Sequence, residues 1–157
     1  MWFLSKFVII MYYTILISHI ALSFAVSFVA LYIVIRSLLG VYKKIKFSDF
    51  HDFFIPKFAV ILLYLELILG LLLYALHISK LENFISQSNA DVYFSYRFWA
   101  IEHTILMLFA IIFGHLGLLY TKNIKSVVER FKKNLTYFGL SFILITVSLL
   151  MNMLKNA

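Results

Sequence analysis

The chain has 157 residues, 64% of them hydrophobic and only 13% charged, with a mean hydropathy of +0.98. No water-soluble core hides that much apolar surface, so composition excludes a soluble domain. The basic excess, 14 Lys and Arg against 7 Asp and Glu, does not read as nucleic-acid binding, because the cations sit in short connectors between apolar runs, the distribution that sets membrane topology. Cysteine is absent, which excludes disulfides, thiolate ligands and thioether-linked haem.

A membrane-spanning helix needs about 20 mostly apolar residues. Four such spans are predicted, at about 12–39, 54–78, 98–120 and 134–154, and together they use nearly the whole chain. The expected fold is all-α: a single integral membrane domain, 1–157, built as a polytopic transmembrane four-helix bundle. The first span is preceded by residues 1–11, an interfacial or helical extension carrying Trp2 and Phe3. Its uncharged stretch through Ile35 is about twice the apolar core of a signal peptide, so it reads as a retained span. Gly40 is expected to end it.

The connector at 41–52 mixes Lys43, Lys44 and Lys46 with aromatic residues, which suits a segment at the headgroup level. Pro56 fits the first turn of the second helix, where a missing N–H costs nothing. Residues 79–91 are the most loop-like of the chain, and 93–99 form an aromatic belt of the kind found at membrane interfaces. A basic connector, 122–133, separates the third and fourth spans. The first connector region holds Arg36, Lys43, Lys44, Lys46 and Lys57, the third holds Lys122, Lys125, Arg130, Lys132 and Lys133, and the middle one only Lys80 and Arg97. Both termini are therefore predicted to face outward. In a bacterium they are periplasmic, the protein being multi-pass in the inner (cytoplasmic) membrane with lipid bilayer around it.

Polar residues inside apolar spans then acquire a depth. His19 lies about two turns from the outer end of the first helix and His103 one to two turns from the outer end of the third, so they share a layer. Imidazoles from facing helices are natural axial ligands for a non-covalent haem b. His115 is about 18 Å deeper than His103 and rotated by about 120°. Glu66 stands near the middle of the second helix, where a carboxyl is protonated, paired or wetted, and is a candidate for proton or quinone chemistry. Glu102 is placed to hydrogen-bond a histidine ligand. Each has a plainer reading as a polar side chain satisfied by a neighbouring carbonyl or hydroxyl. His77 at the outer rim and His51 in the connector favour that plainer reading. Ala110, Gly114 and Gly117 form a small-residue stripe that reads as close helix packing, and the fourth helix, with Ser141, Thr146, Ser148 and Asn152, reads as packing alone.

The run from Arg97 through Phe98, Trp99, Glu102 and His103 to Met107, continued by Ala110, Gly114, His115 and Gly117, resembles a family of small bacterial four-helix membrane proteins commonly labelled cytochrome b. The second-helix segment from Leu65 through Gly70 to Tyr74 and the position of His19 are similar to that family too. Two positions depart from it. Thr104 stands where members often carry proline, and Tyr64 where the second helix has a histidine. The resemblance implies one haem b, with His19 and His103 as axial ligands of the iron and Glu102 tuning the site. An inner site would have Tyr64 and His115 as its only ligands.

The expected function is that of a b-type cytochrome passing electrons in a respiratory or quinone-linked chain, with quinone and other membrane respiratory subunits as partners, rather than a stand-alone enzyme. The alternative is a cofactor-free accessory subunit of a larger membrane complex. A small proton-coupled transporter using Glu66 and Glu102 is a third reading.

Overall fold

The computed structural model describes residues 2–81, 98–122 and 124–155. Most of the predicted loop at 79–91 and the aromatic run at 93–97 lie outside the described residues, as do the side chains of Trp2, Phe3 and His77. Helix α1 is Trp2–Lys43, a π-helical turn at Phe50–Phe54 leads into α2 (Ile55–Leu81), a second π-helical turn at Phe98–His103 leads into α3 (Thr104–Lys122), and α4 is Val127–Lys155. All four are long and apolar enough to cross a membrane.

The helix ends differ from the predicted spans for local reasons. The stretch before Tyr12 is helical and continuous with α1, whose 42 residues extend about 63 Å at 1.5 Å per residue. Gly40 does not stop the helix; α1 runs on to Lys43 and ends where Lys44 turns into the left-handed region at φ 50°, the usual exit from an α-helix. Helix α4 starts at Val127, inside the predicted basic connector. Glu129, Arg130, Lys132 and Lys133 are good helix formers, Glu129 lies in the first turn where the helix dipole favours an acid, and Phe131 is fully buried.

Each helix buries one stripe with alternating three- and four-residue spacing, the pattern of a bundle seam. On α1 the stripe is His19, Ser23, Val26, Ala30, Ile33, Ser37 and Gly40; on α2 it is Pro56, Ala59, Val60, Leu63 and Glu66. Along the second π-helical turn and α3 it is His103, Met107, Ala110, Gly114, Gly117 and Thr121, and on α4 Phe131, Asn134, Phe138, Ser141, Ile145 and Ser148. Neighbours in sequence pack against each other and α1 closes against α4, an up-down-up-down ring of four helices with both terminal ends on the same side. Large apolar residues such as Phe28, Ile61, Ile112 and Ile143 coat the outside, as a lipid environment requires.

The end opposite the termini is held by a clasp of polar side chains. The Arg36 guanidinium grips the Asp52 carboxylate through Nε to Oδ1 at 2.7 Å and Nη2 to Oδ2 at 2.9 Å, and the Ser48 amide donates to Oδ2 at 2.7 Å. In a regular helix the N–H of residue 56 would bond to the Asp52 carbonyl, but Pro56 has no N–H. The Asp52 carbonyl accepts from Asn134 Nδ2 at 3.1 Å, and Asn134 Oδ1 accepts from Thr121 at 2.7 Å. One turn of connector thus ties all four helices together. Tyr32 and His51 add a contact at 2.8 Å.

Gly40 marks the tightest approach at this end. A Cβ there would lie 2.2 Å from Phe131 Cγ, whereas one on Gly139 would meet nothing within 4 Å. Gly40→Ala should destabilise the protein in detergent by about 1–3 kcal/mol, the cost of overpacking, while Gly139→Ala should be neutral or stabilising by up to about 1 kcal/mol. In the clasp, Asp52 is 3% exposed and Arg36 21%. Arg36→Ala strands a buried carboxylate and should cost about 3–5 kcal/mol; Asp52→Ala leaves a cation that reaches water and should cost less, and thermal unfolding of the two variants ranks them.

Candidate functional site

About two heptads from the clasp, or about 21 Å along the helices, the core stripes carry a second polar layer. His19 and Ser23 come from successive turns of α1, Glu66 from α2, His103 from the end of the second π-helical turn and Ser148 from α4. Single π-helical turns re-register a helix and recur at functional sites; here one precedes α3 at the histidine.

Glu66 is the centre of the layer, only 2% exposed. Ser23 Oγ donates a short hydrogen bond to Glu66 Oε1. His19 Nδ1 lies 3.2 Å from the same oxygen, a close contact whose direction does not make a hydrogen bond. Glu66 Oε2 is buried without a hydrogen-bond partner among the described residues. The His19 and His103 rings meet edge to face, centroids 6.2 Å apart and planes at 78°. On its other side His103 Nδ1 contacts Ser148 Oγ at 2.6 Å. The carboxyl, two imidazoles and two hydroxyls form one cluster drawn from all four helices.

The cluster borders a cavity of about 20 Å³, space for about one water molecule. Sites that hold organic ligands and cofactors are usually about 300–1,000 Å³, so a porphyrin does not fit in this cavity. The two imidazoles meet edge to face, and their Nδ1 atoms lie against Glu66 and Ser148. Among the described residues, no group of three or more His, Cys, Asp or Glu is arranged to hold a metal ion.

The other sequence-predicted residues fall elsewhere. Tyr64 is 43% exposed and His115 is exposed on α3; both lie on the outer surface of the bundle, and no described contact joins them. Glu102 is half-buried beside His103 on the π-helical turn. Two members of the layer, Ser23 and Ser148, were not candidates from sequence. Their signal was register: Ser23 is one turn from His19, and Ser148 falls on the α4 core stripe. The Ala110, Gly114 and Gly117 stripe packs closely, with Gly114 against Val60 and Leu63, and Gly117 against Phe138.

Compared with known protein families, with characterised proteins and with solved structures, the chain matches none.

Ser148→Ala removes the hydroxyl from a buried imidazole nitrogen and should cost about 1–3 kcal/mol. Thr146→Ala is the control, because the Thr146 hydroxyl bonds to the Phe142 carbonyl of its own helix, at 2.8 Å; it should change stability by less than about 0.5 kcal/mol. Unfolding in detergent measures both.

Proposed function

We propose that this is a proton-handling membrane protein whose working site is the His19–Glu66–His103 cluster. The observation that carries the reading is the Glu66 carboxyl: deep in the bundle, one oxygen held by Ser23 and faced by His19, the other buried without a hydrogen-bond partner among the described residues. An isolated ionised carboxylate at this depth costs several kcal/mol. Two imidazoles and two hydroxyls within the same layer offset that cost by sharing a proton with it. Imidazole changes charge in the physiological range, and His, Asp and Glu chains inside membranes serve proton relays. In this role His19 and His103 exchange the proton with Glu66, and Ser23 and Ser148 orient the carboxyl and the ring of His103.

The second reading is a b-type cytochrome of the bacterial inner membrane, its haem held without covalent bonds by His19 and His103 and its electrons exchanged with quinol and respiratory partners. The meeting of two imidazoles from facing helices favours it, as does the resemblance of the residues from Arg97 to Gly117 to small four-helix cytochromes. It requires the helices to part by the thickness of a porphyrin. In both readings the basic connectors face the cytoplasm and the termini the periplasm.

The test is made on the full-length protein, purified without added cofactor. Infrared difference spectra against pH should show a buried carboxyl band that titrates reversibly, is absent in Glu66→Gln, and moves its midpoint in His19→Ala and His103→Ala. A reduced-minus-oxidised haem spectrum lost in His103→Ala would replace the proton reading with the cytochrome. Neither signal would overturn both and leave an accessory subunit that contributes only packing.

A further inference from the structure

We infer that the basic end of the bundle carries a binding site for one anionic phospholipid, on the face of α4 that borders α3, with Arg130 and Lys133 holding its headgroup. This site is separate from the His19–Glu66–His103 cluster and does not depend on how that cluster is used.

The charge of the chain is gathered at one end. The cations of the first and third connector regions are accompanied there by Asp49, Asp52 and Glu129, which leaves this end with the whole formal net charge of +7. Inside the bundle the charges are bonded to one another, Arg36 to Asp52. Around it, no Lys and no other Arg of this end has an acid partner among the described residues. Such cations need counter-charge, and a leaflet containing anionic lipid supplies it as phosphate, favouring contact by about fivefold per Lys or Arg.

Two of these cations are held in place by their neighbours. Arg130 Nε donates to the Ile124 carbonyl at 2.5 Å, and its guanidinium lies over the Phe47 ring, 5.1 Å from the centroid. Phe47 in turn packs on Phe131, with centroids 5.5 Å apart. With Nε engaged, the guanidinium still presents its terminal N–H groups, a geometry that matches phosphate. Lys133 Nζ lies 5.9 Å from the centroid of the Tyr120 ring, which is stacked on Tyr137 at 5.2 Å with planes 8° apart.

The register of α4 extends the site into the hydrocarbon. Arg130, Lys133, Tyr137, Leu140 and Leu144 recur every three or four residues and so share one face, which Tyr120 of α3 joins at Tyr137. From the clasp toward the middle of the bundle the stripe runs from two cations through an aromatic pair to leucines, over about 21 Å at 1.5 Å per residue. A phospholipid has the same order: phosphate, interfacial glycerol, acyl chain. Tyrosine is enriched at the middle of that series, the membrane–water interface. An acidic soluble protein would reach the cations alone, because the leucines lie within the membrane span.

Native mass spectrometry of the full-length protein in detergent, with phosphatidylglycerol and phosphatidylcholine of the same acyl chains added at equal concentration, tests the site. One phosphatidylglycerol should bind in preference to phosphatidylcholine by about tenfold or more, as two such cations imply. Lys133→Gln should cut that preference by about fivefold, and Lys133→Arg should keep it. Arg130→Gln combined with Lys133→Gln should bring the two lipids within about twofold of each other. Lys44→Gln combined with Lys46→Gln, which removes two cations of the same end away from the stripe, should leave the preference intact. Equal binding of the two lipids by the wild-type protein, a preference that survives the Arg130/Lys133 change, or an equal loss in the Lys44/Lys46 variant overturns the site. Displacement of the bound phosphatidylglycerol by millimolar inorganic phosphate also overturns it, leaving an anion site with no part for the lipid.

Discussion

In hydrocarbon, a polar group has no solvent to bond to, and every other feature of this bundle follows from that constraint. The four spans are apolar on their outer faces, so the few polar side chains at depth must find partners inside. Most do so in two layers at the two ends of the seam; between them Ser141 donates to the Ala110 carbonyl. Near the basic end the partners are complete: Arg36 neutralises Asp52, and Asn134 uses both ends of its amide. Near the terminal end they are not, and Glu66 keeps one oxygen without a hydrogen-bond partner among the described residues. A saturated layer stabilises; an unsaturated one has room for chemistry.

The same contrast orders the packing. In a lipid bundle the hydrophobic effect does not drive helices together, and close contact does. Gly40 admits the ring of Phe131, Gly117 that of Phe138, and Gly114 lets Val60 approach. These contacts lie between the clasp and the cluster or at the clasp itself. The half of the bundle that holds the histidines lies beyond them, and there the helix before α3 relaxes into a π-helical turn.

Much of this was legible in the sequence because hydropathy reports burial in lipid directly. Four spans and the shared depth of His19 and His103 follow from span length and helical rise alone. What depth does not give is the face of the helix. His115 and Tyr64 were weighed by depth, yet the three- and four-residue spacing of the seam passes through Gly114 and Gly117 on α3 and through Leu63 and Glu66 on α2, leaving both residues outside. The same spacing passes through Ser23 and Ser148, whose short side chains resemble ordinary packing until a histidine or carboxyl is known to face them. Asp52 was read as interfacial because it sits among lysines; its burial depends on Arg36, sixteen positions earlier, and no local pattern announces a pair so far apart. Gly40 looked like a helix stop because glycine often is one, and only the position of Phe131 shows that it provides clearance instead.

The central claim is that the seams of α1, α2 and α3 bring His19, Glu66 and His103 into one layer. Solid-state NMR of the protein in lipid bilayers, with histidine and glutamate labelled in ¹³C and ¹⁵N, measures this directly. The account predicts through-space correlations between the His19 ring and the Glu66 carboxyl and between the His19 and His103 rings. Histidine rings correlated only with lipid acyl chains, or a Glu66 carboxyl with no imidazole neighbour, would contradict it.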